Sequence, residues 1–362
     1  MFKPIAVAFV AASVSMPAHS AVTHPVCIQT GPNTYKLSYS LTNGSHQVSI
    51  SSSTDPSGKS GRVPLLKTSS TVVTVAAGRP DQRIYFFLEP DHGQGREVSI
   101  RHIRLEGTPN FRDIGGYETA NGRFVKWGLV YRTGVLAYLT PSDFTYLRQL
   151  GIRVVCDFRT HQENEEAPEK WVPDSGATML SVPIGPEDGK SATASFQQLA
   201  QSHPTAAQFK LRMEKVYSTF VFQFSPEYAR VFTELKDDHL PLVYHCSAGK
   251  DRTGVFTALL LRVLGVPMPT ILTDYELTNR YFMSRTDNTE ANRKARAQAE
   301  SMMKMFTPEE RRVLMAADPA YLNATFAAID ERYGSFDNYR RQALGLSDSD
   351  VSALRARLLT DE

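Results

Sequence analysis

The sequence predicts a parallel-sheet α/β domain flanked by helices, preceded by a small all-β, sandwich-like module. Three observations carry that prediction. Up to about residue 105 short apolar-polar alternations are punctuated by turn residues; beyond Gly107 strand-like and helix-like segments alternate; and from Pro269 to Glu362 the pattern is almost wholly helical. Residues 1–20 read as an export signal, 21–105 as the β module and 106–362 as the α/β domain with a helical lid and tail.

The N-terminus has a short positive region at Lys3, an apolar stretch over residues 5–14, and Pro17 ahead of Ala18-His19-Ser20, the small-residue pattern of a cleavage site after Ser20. Ten to twelve apolar residues are too few to span a hydrocarbon layer of about 30 Å. No later stretch approaches 18 apolar residues, so the mature chain is expected to lack a transmembrane segment and to be secreted or periplasmic. In the β module, residues 35–41 alternate, Asn43-Gly44 is a hairpin signal, and residues 47–50 resume the alternation. Residues 71–75, 83–88 and 98–103 complete five or six strands.

In the second part, residues 142–150 form a helix stopped by Gly151, and residues 153–158 a β-branched strand. A long helical stretch over 205–235 is interrupted at Phe224-Ser225-Pro226. Residues 240–245 then form a strand, and 254–264 a helix apolar on every side, as in a buried core. In the tail, Tyr321, Leu322, Thr325, Phe326, Ile329 and Tyr333 keep helical spacing up to Gly334, and Ser347 opens a last helix.

Composition removes several classes. With 41% hydrophobic residues, 40 Lys+Arg against 38 Asp+Glu, 22 Gly and 3 Cys, the chain fits neither disorder, collagen nor a disulfide scaffold. A net charge of +2 gives no electrostatic reason to expect nucleic acid as a partner.

Most of the chemistry sits in His245-Cys246-Ser247-Ala248-Gly249-Lys250-Asp251-Arg252-Thr253-Gly254, between a strand and a helix N-terminus. Free amides and the positive end of the helix dipole at such a junction favour a tetrahedral dianion. Gly249 lets the backbone curl around the anion, and Arg252 can clamp two of its oxygens. A thiol in that field is expected to ionise readily, which makes Cys246 a nucleophile at neutral pH. Ser247, Ala248, Gly249, Lys250, Arg252 and Thr253 are the expected phosphate-binding residues. His245 and the Thr253 hydroxyl are expected to hold the loop and tune the sulfur.

This is a Cys-x5-Arg pattern, and the full run resembles the cysteine-dependent protein tyrosine phosphatases, in particular an atypical bacterial subgroup that accepts phosphotyrosine and phosphoinositides. Three further patches resemble the same family: Asn110-Phe111-Arg112-Asp113 with Arg132-Thr133-Gly134; Asp157-Phe158-Arg159, where Phe158 replaces the usual leucine; and Asp274-Tyr275-Glu276 in the tail. Asn110, Arg112, Asp113, Arg132, Asp157 and Arg159 are read as supporting the site, since buried Arg-carboxylate pairs that brace a loop are at least as common as catalytic ones.

The resemblance implies in-line attack by Cys246, a phosphocysteine, charge stabilisation by Arg252 and the loop amides, then hydrolysis by water, with no metal and no cofactor. For the general acid, Glu187, Asp188 and Glu214 lie at a workable distance along the chain but in no motif. Asp251 inside the loop is favoured, the alternative being that it bonds loop amides or pairs with Lys250.

Substrate readings diverge at Lys250. A second loop cation suits a polyphosphorylated headgroup, which makes a phosphoinositide or dual- or triple-specificity phosphatase the alternative to a phosphotyrosine enzyme. Arg280, Arg285, Arg293, Lys294, Arg296 and Lys304, with Met302, Met303 and Met305, could form a lid against an anionic membrane, or an ordinary solvated helix face. A third reading makes the protein a surface-binding module with a vestigial phosphatase domain; the intact set His245, Cys246, Gly249, Arg252 and Thr253 argues against it. Cys156 is expected in the core, and Cys27 has no evident partner.

Overall fold

The computed structural model describes residues 21–80, 82–185, 202, 204–282, 293, 297, 300–301 and 303–361. The expected signal segment, Glu187, Asp188 and much of the basic segment between Arg280 and Lys304 fall outside them.

Seven strands build the N-terminal module: β1 (Val22–Gly31), β2 (Thr34–Leu41), β3 (Val48–Ser53), β4 (Val63–Thr68), β5 (Val72–Ala76), β6 (Tyr85–Pro90) and β7 (Arg96–Ser99). They form two antiparallel sheets, ordered β1-β2-β5 and β4-β3-β6-β7. The Asn43-Gly44 turn forms, with φ of 57° and 73°, but it does not close a hairpin. β2 pairs with β1 and β5, whereas β3 pairs with β4 and β6. Packing decides this: the inward Tyr35, Leu37 and Tyr39 of β2 meet Val48 and Ile50 of β3 in one apolar cluster, so the turn carries the chain between sheets. β1 escapes the alternation pattern because its Val26 and Ile28 point outward while Cys27 points in.

After the short β8 (Arg112–Asp113) come β9 (Val130–Thr133), β10 (Val154–Asp157), β11 (Thr178–Ser181) and β12 (Leu242–His245), in the order β11-β10-β12-β9-β8. β11, β10, β12 and β9 run parallel, and β8 adds an antiparallel edge. The helices are α1 (Pro141–Gln149), α2 (His161–Glu166), α3 (Val172–Ser175), α4 (Ala206–Gln223), α5 (Ser225–Lys236), α6 (Asp251–Leu264), α7 (Met268–Tyr281), α8 (Pro308–Met315), α9 (Pro319–Tyr333), α10 (Phe336–Gln342) and α11 (Asp348–Leu358). Their limits follow local chemistry. Thr140, Thr160, Thr205, Thr307 and Ser347 close capping boxes, Ser225-Pro226 separates α4 from α5, and Gly334 ends α9 at φ 76°. Among the described residues no helix is long and apolar enough to cross a membrane.

Strand alternation gives the central sheet two apolar faces. Val130, Val154, Cys156, Leu242 and Tyr244 pack under α4, α5 and α6, which contribute Tyr217, Tyr228 and Phe256. Tyr131, Val155 and Val243 pack instead against Tyr35, Leu37, Ile84 and Phe86 of the β module, together with Leu147 of α1 and Trp171. The module therefore fills the layer that a second set of helices would occupy in a doubly wound sheet. An ion pair ties the layers together: Arg83 Nη2 lies 3.0 Å from Asp113 Oδ2, both side chains buried. Cys27 and Cys156 are free buried thiols; burial pushes Cys27 up to about 12 and Cys156 upward as well, so both are core residues.

Candidate active site

The loop from Cys246 to Lys250 joins β12 to α6 at the carboxyl ends of β9, β10 and β12. A parallel sheet forms its ligand crevice at that end. Cys246 lies at the base of the loop, 2% exposed. The first-turn amides of α6 have no acceptor inside the helix, and they face the curl of the loop.

Gly249 makes the curl feasible. Its φ is 66°, and a Cβ there would lie 2.5 Å from Thr133 O and 2.6 Å from Gly134 N. Its carbonyl is tied from outside by Asn110 Nδ2 and Arg132 Nη2, each donating at 2.9 Å. Arg112 donates to the Asn110 amide oxygen and reaches Asp274, and Arg132 Nη1 reaches the same Asp274 carboxylate at 2.8 Å. Burial opposes the charge on Asp274, but the two guanidiniums and the Tyr117 hydroxyl hold its carboxyl well below the usual range. Asn110, Arg112 and Arg132 thus form one brace behind the loop, anchored on α7. Asp113 stands apart from it and accepts from Arg83 and from the amides of Gly115 and Gly128.

Arg252 is held by a residue that sequence reading missed. Its Nη1 and Nη2 donate to the two oxygens of Glu163 at 2.7 and 2.8 Å, with Phe158 O, Ile184 O and Ser247 Oγ as further acceptors. Among the described residues none of these contacts uses Nε, which leaves that edge for an anion. Burial opposes the charge on Glu163, but its bonds from Arg252, Ser247 and the Thr160 amide outweigh it and hold the carboxyl at about 2. The available signal was the capping box Thr160-x-x-Glu163 directly after Asp157-Phe158-Arg159.

Asp251, the first residue of α6, accepts a hydrogen bond from Tyr217 at 2.5 Å and lies 3.5 Å from the Lys250 ammonium. Glu214 sits half-buried on α4, one turn before Tyr217. The Lys250 side chain is buried, and its ammonium donates to Leu314 O and Ala316 O at the carboxyl end of α8. Among the described residues the enclosed Thr253 hydroxyl has no hydrogen-bond partner.

Beneath the cysteine, His245 Nδ1 faces Cys246 O at 3.3 Å, and its Nε2 faces Asp157 Oδ1 at 3.7 Å and Glu169 Oε1 at 3.6 Å. Asp157, Glu169 and His245 are close enough to suggest a metal site. Arg159, however, lies 2.8 Å from both carboxylates, so a guanidinium already occupies the place of a cation between them. Burial opposes the charge on Asp157, but His245 and Arg159 outweigh it and hold its carboxyl low, whereas burial dominates at Glu169 and raises it. This cluster supports the base of the loop, and Glu169 too went unread in the sequence.

Comparison with known proteins agrees with this geometry. A model of the tyrosine phosphatase family matches residues 103–360. A Cupriavidus necator protein named as a tyrosine-protein phosphatase is 32% identical over 271 residues, covering 75% of this chain and 93% of that protein. The triple specificity protein phosphatase PtpB of Mycobacterium tuberculosis is 28% identical over 276 residues, 70% of this chain and 98% of its own. A tyrosine-protein phosphatase of Nostoc commune is 26% identical over 230 residues, 63% and 73% of the two chains. The family match begins after β7, so the β module lies outside it.

Proposed function

The chain belongs to the tyrosine phosphatase family, and from that premise we propose an exported protein tyrosine phosphatase that works through a phosphocysteine on Cys246. The observation that carries this reading is the loop itself: a buried cysteine at the base of a helix-terminal anion cradle, with Arg252 held rigidly at its rim. As the Cys246 sulfur bonds to phosphorus, the ester P–O bond breaks and its electron pair leaves on the tyrosine oxygen, which takes the proton of Asp251. The loop amides and the Nε edge of Arg252 bind the charge on the remaining oxygens. Water then attacks phosphorus, Asp251 takes back a proton, and the S–P bond breaks to release inorganic phosphate and the thiolate. Export rests on the charge and apolar pattern of residues 1–20.

A second reading widens the range to phosphoinositides or other phosphomonoesters, with peripheral contact at an anionic membrane. It is favoured by Lys250 in the loop and by the similarity to a relative named for triple specificity. A polyphosphorylated headgroup would have to draw the Lys250 ammonium away from Leu314 O and Ala316 O. The test is kcat/KM for phosphotyrosine peptides and a phosphoinositide series in mixed vesicles, measured for the parent and Lys250→Met. Peptide rates well above lipid rates in both proteins support the first reading. A selective loss on polyphosphorylated lipids in the variant supports the second.

A further inference from the structure

We infer that Tyr217 is a positioning residue for proton transfer: it fixes the Asp251 carboxyl so that the proton given to the leaving group sits on Oδ2. The inference rests on the reading of Asp251 as general acid. Tyr217 comes from α4, Asp251 opens α6, and Tyr275 comes from α7, yet their polar ends meet. The Tyr217 hydroxyl lies 2.5 Å from Asp251 Oδ1 and is also hydrogen-bonded to the Tyr275 hydroxyl.

A phenol has one proton to give. Oδ1 of an ionised carboxylate can only accept, so Tyr217 donates to Asp251 and Tyr275 donates to Tyr217. When Asp251 is protonated the same chain keeps Oδ1 as acceptor, and the acid proton is confined to Oδ2. During the first step the Oδ2–H bond breaks, the hydrogen bonds to the departing oxygen, and Asp251 is left as a carboxylate that Tyr217 already stabilises. Both phenols are buried, and burial with the nearby Asp251 charge raises them far above the ordinary range, so they remain donors throughout.

The surrounding packing is built for this contact. The Tyr217 ring is wedged between Tyr321 and Tyr275, with ring centres 5.1 and 6.2 Å away. Gly254, last residue of the loop run, has no side chain where a Cβ would lie 2.8 Å from the Tyr275 ring. A glycine at that position lets Tyr275 approach α6 closely enough to complete the chain.

The test compares Tyr217→Phe, Tyr275→Phe and Asp251→Asn with the parent on a phosphotyrosine peptide and on para-nitrophenyl phosphate, whose better leaving group needs less protonation. Tyr217→Phe should lower kcat/KM, which reports the steps up to loss of the leaving group and excludes the hydrolysis shared by both substrates, roughly tenfold on the peptide and less than about twofold on the aryl ester. Tyr275→Phe should show the same bias more weakly, and Asp251→Asn more strongly. Equal slowing on both substrates by Tyr217→Phe, or no slowing beside a selective Asp251→Asn, overturns the inference while sparing the acid. A non-selective Asp251→Asn overturns the acid assignment and the inference with it.

Discussion

Replacing Arg83 by methionine perturbs a buried ion pair that joins the β module to the catalytic layer. Its partner Asp113 is fully buried, and once Arg83 is gone its hydrogen bonds among the described residues are those from the amides of Gly115 and Gly128, each at 2.8 Å, with Arg101 as a remaining nearby cation. Breaking a buried pair from one side costs roughly 3–5 kcal/mol. For a chain of this length the unfolding entropy is about 0.7 kcal/mol per degree, so Tm should fall by about 4–7 °C. Burial already raises the Asp113 carboxyl, and losing Arg83 removes the main opposing influence. Asp113 in the variant will therefore take up a proton more readily, and the deficit should be smaller at pH 5 than at pH 8. Calorimetry with far-UV dichroism measures the shift, and adding Asp113→Asn should recover part of it. Because one apolar cluster runs through both layers, a single coincident transition is expected. A shift below about 1 °C, or a catalytic transition that stays put while the module melts separately, would refute the reasoning.

Gly249→Ala forces a side chain against Thr133 O at a positive φ, and should lower kcat/KM tenfold or more while Tm changes by only a few degrees. Glu163→Gln keeps the shape of the Arg252 partner without its charge, and a roughly tenfold loss in kcat/KM is expected in steady-state assays. The Glu163 carboxyl is held at about 2, so its stabilisation is complete above the ordinary unfolded value of about 4.3 and disappears as pH falls toward 2. Urea titrations should show the parent and Glu163→Gln converging across that interval. Glu97 behaves oppositely: burial, with repulsion from Asp113, raises it to about 8. The folded state holds that proton longer than the unfolded one, so stability falls as pH rises from about 4.3 to 8, and Glu97→Gln should be the more stable protein at pH 9 but not at pH 4.

The catalytic half was legible in the sequence because its signals are local. His245 to Gly254 sets strand end, loop and helix start within ten residues, and the buried faces of α5 and α6 show in the apolar spacing. The brace of Asn110, Arg112 and Arg132 was visible as residue types, but its target, Gly249 O, became evident only once β9 lay beside β12. Glu163, Glu169 and Tyr217 stayed hidden because each acts on a residue more than 30 positions away or through a cluster that only folding assembles. The Asn43-Gly44 turn shows the converse. A strong local signal formed its local geometry, while the pairing of the strands it joins was decided by burial across two sheets.

The central claim is covalent catalysis by Cys246, and the most direct measurement is to quench a reaction with labelled phosphotyrosine peptide in acid during the first turnovers and map the label. The account predicts one phosphoryl group on the peptide carrying Cys246, and neither label nor turnover in Cys246→Ser, which should still bind substrate. Turnover by Cys246→Ser, or a phosphoryl group on any other residue, would contradict it.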